Sequence, residues 1–109
     1  MNRKDILDQA IQCVCNDRQD AYGKPEDNFL AIAKLWNAYM DNKYGTIDIE
    51  PEDVGIMLAL MKIGRMTSGK VNADNYIDAA GYLACAGEID TQIYDCEDPI
   101  KPIGNEDYE

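Results

Sequence analysis

Residues 54–63 pack seven large apolar side chains, Val54, Ile56, Met57, Leu58, Leu60, Met61 and Ile63, into one short stretch. They do not keep to a single stripe of a helix but run nearly all round it. Pro51 stands before them, followed by Glu52 and Asp53. That is the order of a helix start: the missing proline N–H costs nothing in the first turn, and acids complement the positive end of the dipole. Ser68-Gly69 closes the segment. A helix apolar on every side must be covered on every side. In a chain of 109 residues this predicts a central helix of a bundle, or one that also meets a second copy. We therefore expect an all-α, four-helix bundle-like domain and a homo-oligomer, in the simplest case a dimer.

The other segments agree. Ile6, Leu7, Ala10, Ile11 and Val14 recur at helical spacing, with Asn2 as N-cap, and predict a helix over 2–16. Pro25 opens a second over about 26–42, with Phe29, Ile32, Ala33, Trp36, Tyr39 and Met40 as its buried stripe. The third runs over 51–68, and Met57, Met61 and Met66 are read as core. The fourth, over 73–92, is capped by Asn72 or Asp74. It is rich in Ala79, Ala80, Gly81, Ala84, Ala86 and Gly87, small residues that let helices approach closely. The domain is expected over 1–94, with a flexible acidic tail over 95–109.

Composition removes several function classes. The net charge of −11 supplies no basic surface for tracking phosphates along a nucleic acid. With no histidine in the chain, a histidine general base and histidine zinc sites are excluded. Cys13 and Cys15 stand two apart, about 200° round a helix, and cannot share a metal from one face. No apolar run reaches the roughly 20 residues that span a bilayer, and residues 2–5 lead straight into an amphipathic pattern. A soluble protein of the cytoplasm is expected.

Polar residues between the last two segments stand out. Lys62-x-x-Arg65 ends one, and Asp74-x-x-x-Asp78-x-x-Gly81-Tyr82 begins the next. The spacing of the two aspartates puts both on one helix face. A hairpin about residues 70–71 sets Arg65 level with residue 76 and Lys62 with 79, so acids and cations face each other and Arg65 pairs with Asp78. A polar cluster between apolar helices is costly unless it is paired or used. Asp53, Asp74 and Asp78, with Glu52 and Glu88 as further acids at the open end, offer the carboxylate oxygens that Mg2+ takes. The Arg18…Tyr22-Gly23…Asn28 loop offers a guanidinium fork, an aromatic face and an amide, a set that suits a nucleobase or sugar phosphate and equally an ordinary interhelix turn.

Asp17-Arg18-x-x-x-Tyr22-Gly23-x-Pro25-x-x-Asn28-Phe29-x-x-Ile32-Ala33-x-Leu35-Trp36, with Pro51-x-Asp53-Val54 and the two later motifs, resembles a small phage and prophage family of uncharacterised function. The match covers about residues 6–90. The motif order is also similar to the phage "nucleotide modification associated" all-α domain, itself distantly similar to MazG-type nucleoside triphosphate pyrophosphatases. The resemblance implies a helical bundle and a nucleotide-like ligand, not catalysis. Where the MazG-type pattern pairs Glu-x-x-Glu with a later Glu-x-x-Asp, this chain has Glu52-Asp53 and Asp-x-x-x-Asp. On this reading Arg18, Lys62 and Arg65 contact phosphates, and Tyr22, Tyr82 and Asn28 contact base or sugar. Asp53, Asp74 and Asp78 hold Mg2+ or orient the cations, and metal-activated water can hydrolyse a phosphoanhydride. A non-enzymatic counter-defence protein is the alternative: a sponge for a host nucleotide signal, or an acidic mimic of nucleic acid that inhibits a host nuclease complex. A structural module with register-setting salt bridges is the third.

Overall fold

Two prolines and two asparagines set where the helices begin. The computed structural model describes residues 1–17 and 23–94. Four α-helices follow in order: α1 (Arg3–Gln12), α2 (Pro25–Tyr44), α3 (Pro51–Met66) and α4 (Ala73–Tyr94), with a π-helical turn, Cys13–Asp17, continuing α1. The Asn2 side chain accepts from the Asp5 N–H at 2.8 Å, and the Asp5 carboxylate accepts from the Asn2 N–H at 3.1 Å. Together these satisfy two donors that a helix start leaves open. Pro25 and Pro51 occupy the first positions of α2 and α3. The Asn72 side chain accepts from the Asp74 N–H at 2.9 Å. Gly45 ends α2 at φ +102° and Gly69 turns the chain between α3 and α4 at φ +75°, a backbone region that favours glycine. The all-α expectation holds, and there is no strand among the described residues. The acidic tail falls outside them.

The α3–α4 hairpin is the largest helix contact; α2 packs against α3, and α1 against α4. Phe29, Ala33, Val54, Cys85 and Ile89 form the buried core, with Ile32, Trp36, Ile49, Leu58 and Tyr82 packed round it. Small residues set the helix spacing as expected. A Cβ on Gly55 would lie 2.8 Å from the Ala86 Cβ, 2.9 Å from the Tyr82 carbonyl oxygen and 3.0 Å from the Phe29 ring; one on Gly81 would lie 2.9 Å from Val14.

Three burial expectations need correction. α3 is central but not covered all round, and Ile56, Met57, Leu60, Met61 and Ile63 are all more than 40% exposed. Its neighbours α2 and α4 take two sides of it and leave the third open, so Met57 and Met61 are not core. Tyr39 is exposed as well. It sits about 80° off the Phe29–Ala33–Trp36 stripe by helical angle, and Lys43 lies over its ring.

The link between α2 and α3 is tied down by one side chain. Asn37 donates to the Ile49 carbonyl at 2.9 Å and accepts from the Ile49 N–H at 2.8 Å. This holds Ile49 against the core. We expect Asn37→Ala to lose about 1–3 kcal/mol, the cost of two unsatisfied part-buried backbone groups. A denaturant melt of this variant that overlays the wild type would show that the link contributes nothing.

Candidate functional site

Pro25 starts α2 at the position that aims Asn28, Phe29 and Ile32 along one face. Leu58 looks toward that face from α3, and Tyr82 and Cys85 from α4. With Gly23 and Pro25 these side chains enclose a cleft of about 270 Å³. Its walls are mostly apolar, with the Asn28 amide and the Tyr82 phenol as polar groups. That is the usual make-up of a small-molecule site: apolar walls with a few placed polar atoms.

An ion pair lies one helical turn beyond two of its walls, without lining it. Lys62 follows Leu58 by one turn, and Asp78 precedes Tyr82 by one turn. The Lys62 Nζ lies 2.8 Å from the Asp78 carboxylate, with the two side chains 13% and 21% exposed. So largely buried a pair is not an ordinary surface bridge. It holds lysine donors and a carboxylate one turn from Leu58 and Tyr82, a setting that can hold a phosphate or orient a hydroxyl.

The predicted residues divide cleanly. Asn28 and Tyr82, chosen from separate motifs, line the same cleft. Lys62 and Asp78 are in contact, as the opposed charges required. Arg65 is not the partner of Asp78: it is exposed, and no ion pair joins the two. The hairpin turns about residue 70, which brings Lys62 level with Asp78 and leaves Arg65 one turn nearer the connection. It still lies on the Leu58 side of α3, at i+7. Arg18 and Tyr22 lie outside the described residues.

The proposed metal ligands Asp53, Asp74 and Asp78 are not gathered. Asp53 caps its own helix, accepting from the Glu50 N–H at 2.9 Å. Nine residues separate it from Lys62, about 13 Å along α3. Asp74 is exposed at the start of α4. Among the described residues no group of three or more Cys, Asp or Glu side chains is placed to hold a metal ion. Nor do Glu52 and Glu88 meet, although the hairpin sets them level. Glu88 lines a second cavity with Ile11, Val14 and Cys15, on the α1 side of α4, which borders the cleft at Pro25 and Cys85. Register fixes the level of a residue but not its direction.

Glu52 holds a surprise. It is 8% exposed, and its Oε1 is buried with no hydrogen-bond partner. Nothing in its sequence context separates it from a dipole-complementing surface acid. Nearby, Glu50 has its carboxyl pushed up by a hydrogen bond to Asp48 and by the charge of that neighbour. Phe29, Ile32 and Leu58, which the sequence places among packing residues, and Cys85, which no motif singles out, also wall the cleft. Their signal was there in the positions one turn from Asn28 and Tyr82.

The family model described as a domain of unknown function (DUF6378) matches residues 5–90. Two relatives are phage proteins, each named Gene 55 protein. The one from Mycobacterium phage D29 is 33% identical over 84 residues, and the one from Mycobacterium phage L5 is 38% identical over 77. These alignments cover 77% and 71% of this chain. The chain spans about half the length of these relatives, 52% and 47%. No solved structure matches it. No described helix is long and apolar enough to cross a membrane.

Proposed function

We propose that this chain, which belongs to the family described as a domain of unknown function (DUF6378), binds a nucleotide in the cleft between α2, α3 and α4. One observation carries the reading: Asn28 and Tyr82 share an apolar cleft, and the Lys62–Asp78 pair lies one helical turn beyond its walls Leu58 and Tyr82. The base lies against Phe29 and Tyr82, with the Asn28 amide reading its edge. The phosphates lie toward Lys62, with Arg65 further along the same side of α3. A planar aromatic ligand with an anionic tail matches this order of apolar wall, amide and cation.

Retention of the nucleotide is favoured over its hydrolysis. Asp53 and Asp78 stand about 13 Å apart along the hairpin, and the described residues offer no multi-carboxylate cluster for the Mg2+ chemistry of MazG-type enzymes. A phage protein that binds without turnover works as a sponge for a host nucleotide.

Thermal-shift measurement against nucleoside mono-, di- and triphosphates, with and without Mg2+, tests the binding. At a ligand concentration 100 times Kd, binding adds about 2.7 kcal/mol to stability, so at least one nucleotide raises Tm by several degrees. Asn28→Ala should lose most of that rise while keeping the unliganded Tm within a few degrees. If no nucleotide at millimolar concentration moves the transition, the reading is wrong. Release of phosphate or pyrophosphate with Mg2+ present would replace retention by hydrolysis.

A further inference from the structure

The α3–α4 hairpin has a second face, turned away from the cleft, and it is apolar and uncovered. Ile56, Leu60 and Ile63 on α3 are 42%, 57% and 44% exposed; Tyr76 and Leu83 on α4 are 48% and 47% exposed. Helical spacing groups each set, at i, i+4, i+7 and at i, i+7. The Lys62–Asp78 contact gives the register that joins them. Ile56 falls level with residue 84, beside Leu83, and Ile63 level with 77, beside Tyr76. Lys62 and Asp78 lie off this strip by helical angle, so it runs about two turns without a charge. In a chain of net charge −11 that is a conspicuous gap, and monomers seldom leave such a patch open.

The charges at its two ends say what covers it. The open end of the hairpin is acidic, with Glu50 before α3, Asp53 in its first turn and Asp90 on α4; at the turn end Lys70 is exposed. A second hairpin laid antiparallel brings the turn of each copy to the acidic end of the other. A parallel arrangement sets acids on acids. Two hairpins packed by their apolar faces also form a four-helix bundle, the arrangement that buries such faces most directly. We propose that this face is the interface of a two-fold homodimer, with the α3–α4 hairpins of two copies stacked antiparallel. The nucleotide cleft lies on the opposite side of each hairpin and stays open in the dimer. The interface therefore stands or falls independently of what the cleft binds.

Light scattering on the full chain at tens of micromolar (~50 µM is within reach of the method) gives the first answer. The expected mass is twice the 12.2 kDa of one chain. Leu60→Asp and Leu83→Asp should each raise the dissociation constant at least tenfold, on the order of a central interface residue. Both should keep a helical circular dichroism spectrum. Leu35→Asp, on an α2 residue 71% exposed but outside the strip, should leave the mass unchanged. Lys70→Glu should weaken the dimer at low salt and have less effect at high salt, as the antiparallel arrangement requires. A wild-type mass of one chain overturns the proposal. So does a dimer that survives both aspartate variants, or one that Leu35→Asp dissociates. A Lys70→Glu dimer tighter than wild type overturns the antiparallel arrangement. If one aspartate variant fails to fold, the other and Lys70→Glu still decide.

Discussion

Gly55→Ala is expected to destabilise the fold by about 1–3 kcal/mol, the range for forcing extra volume into a packed core. The direction is the informative part. In an exposed helix interior the same change gains about 0.5–1 kcal/mol, because glycine loses more backbone freedom on folding than alanine. At Gly55 the added methyl meets the Ala86 Cβ at 2.8 Å and the Tyr82 carbonyl at 2.9 Å. The carbonyl is backbone and cannot swing aside. Either α3 and α4 move apart or the start of α3 tilts, and Phe29 at 3.0 Å shifts with it. Because Phe29 and Tyr82 also wall the cleft, nucleotide binding should weaken in the same variant. Gly64→Ala is the matched control: nothing lies within 4 Å of its Cβ, so stability should hold or rise slightly. Denaturant melts of the two variants should move in opposite directions. Equal shifts would mean that the α3–α4 spacing is not set at Gly55.

Lys62→Ala and Arg65→Ala should separate just as clearly. Lys62 holds the largely buried Asp78 at 2.8 Å. Removing the ammonium strands a carboxylate in a setting that is mostly apolar, which costs about 3–5 kcal/mol for a fully buried pair. With Asp78 21% exposed, the lower end, about 3 kcal/mol, is expected. Lys62→Met together with Asp78→Leu should recover much of the loss, because two well-packed apolar groups leave no charge to desolvate. Arg65 is exposed, and Arg65→Ala should stay within about 0.5 kcal/mol of wild type. Any effect of Arg65→Ala should fall on phosphate affinity. Comparable losses for both single variants would place the pair in solvent and remove its role at the cleft.

Much of this architecture could be read from the residues because its signals are local. Pro25 and Pro51 mark helix starts without reference to anything distant. Asn2 caps through a residue three positions on. The Lys-x-x-Arg and Asp-x-x-x-Asp motifs are joined by so short a link that their opposition follows from chain geometry. What was not legible depends on rotation about the helix axes. The pairing of Lys62 and not Arg65 with Asp78 follows the level set by a bend about residue 70, which leaves Arg65 level with residue 75. Glu88 sits at the expected level and faces α1 instead of α3. Tyr39 looked like the next member of a stripe, yet its angle carries it past the edge of the core. Met57 and Met61 showed that an apolar residue on a central helix need not be covered by its own chain. The buried Glu52 oxygen has no counterpart in the sequence, where Glu52 looks like any acid in the first turn of a helix.

Asn28 and Tyr82 belong to motifs more than fifty positions apart, and their meeting on one cleft is what links fold to function. Chemical-shift mapping by NMR addresses that link directly. A nucleoside phosphate that raises Tm is titrated into isotope-labelled protein. Resonances of Asn28, including its side-chain amide, Phe29, Leu58, Lys62 and Tyr82 should move together and saturate with one affinity. Ile56, Leu60 and Leu83, on the far side of the hairpin, should stay where they are. Saturable shifts confined to that far side, or to the α1 surface round Ile11 and Glu88, would contradict the assignment of the cleft between α2, α3 and α4 as the binding site.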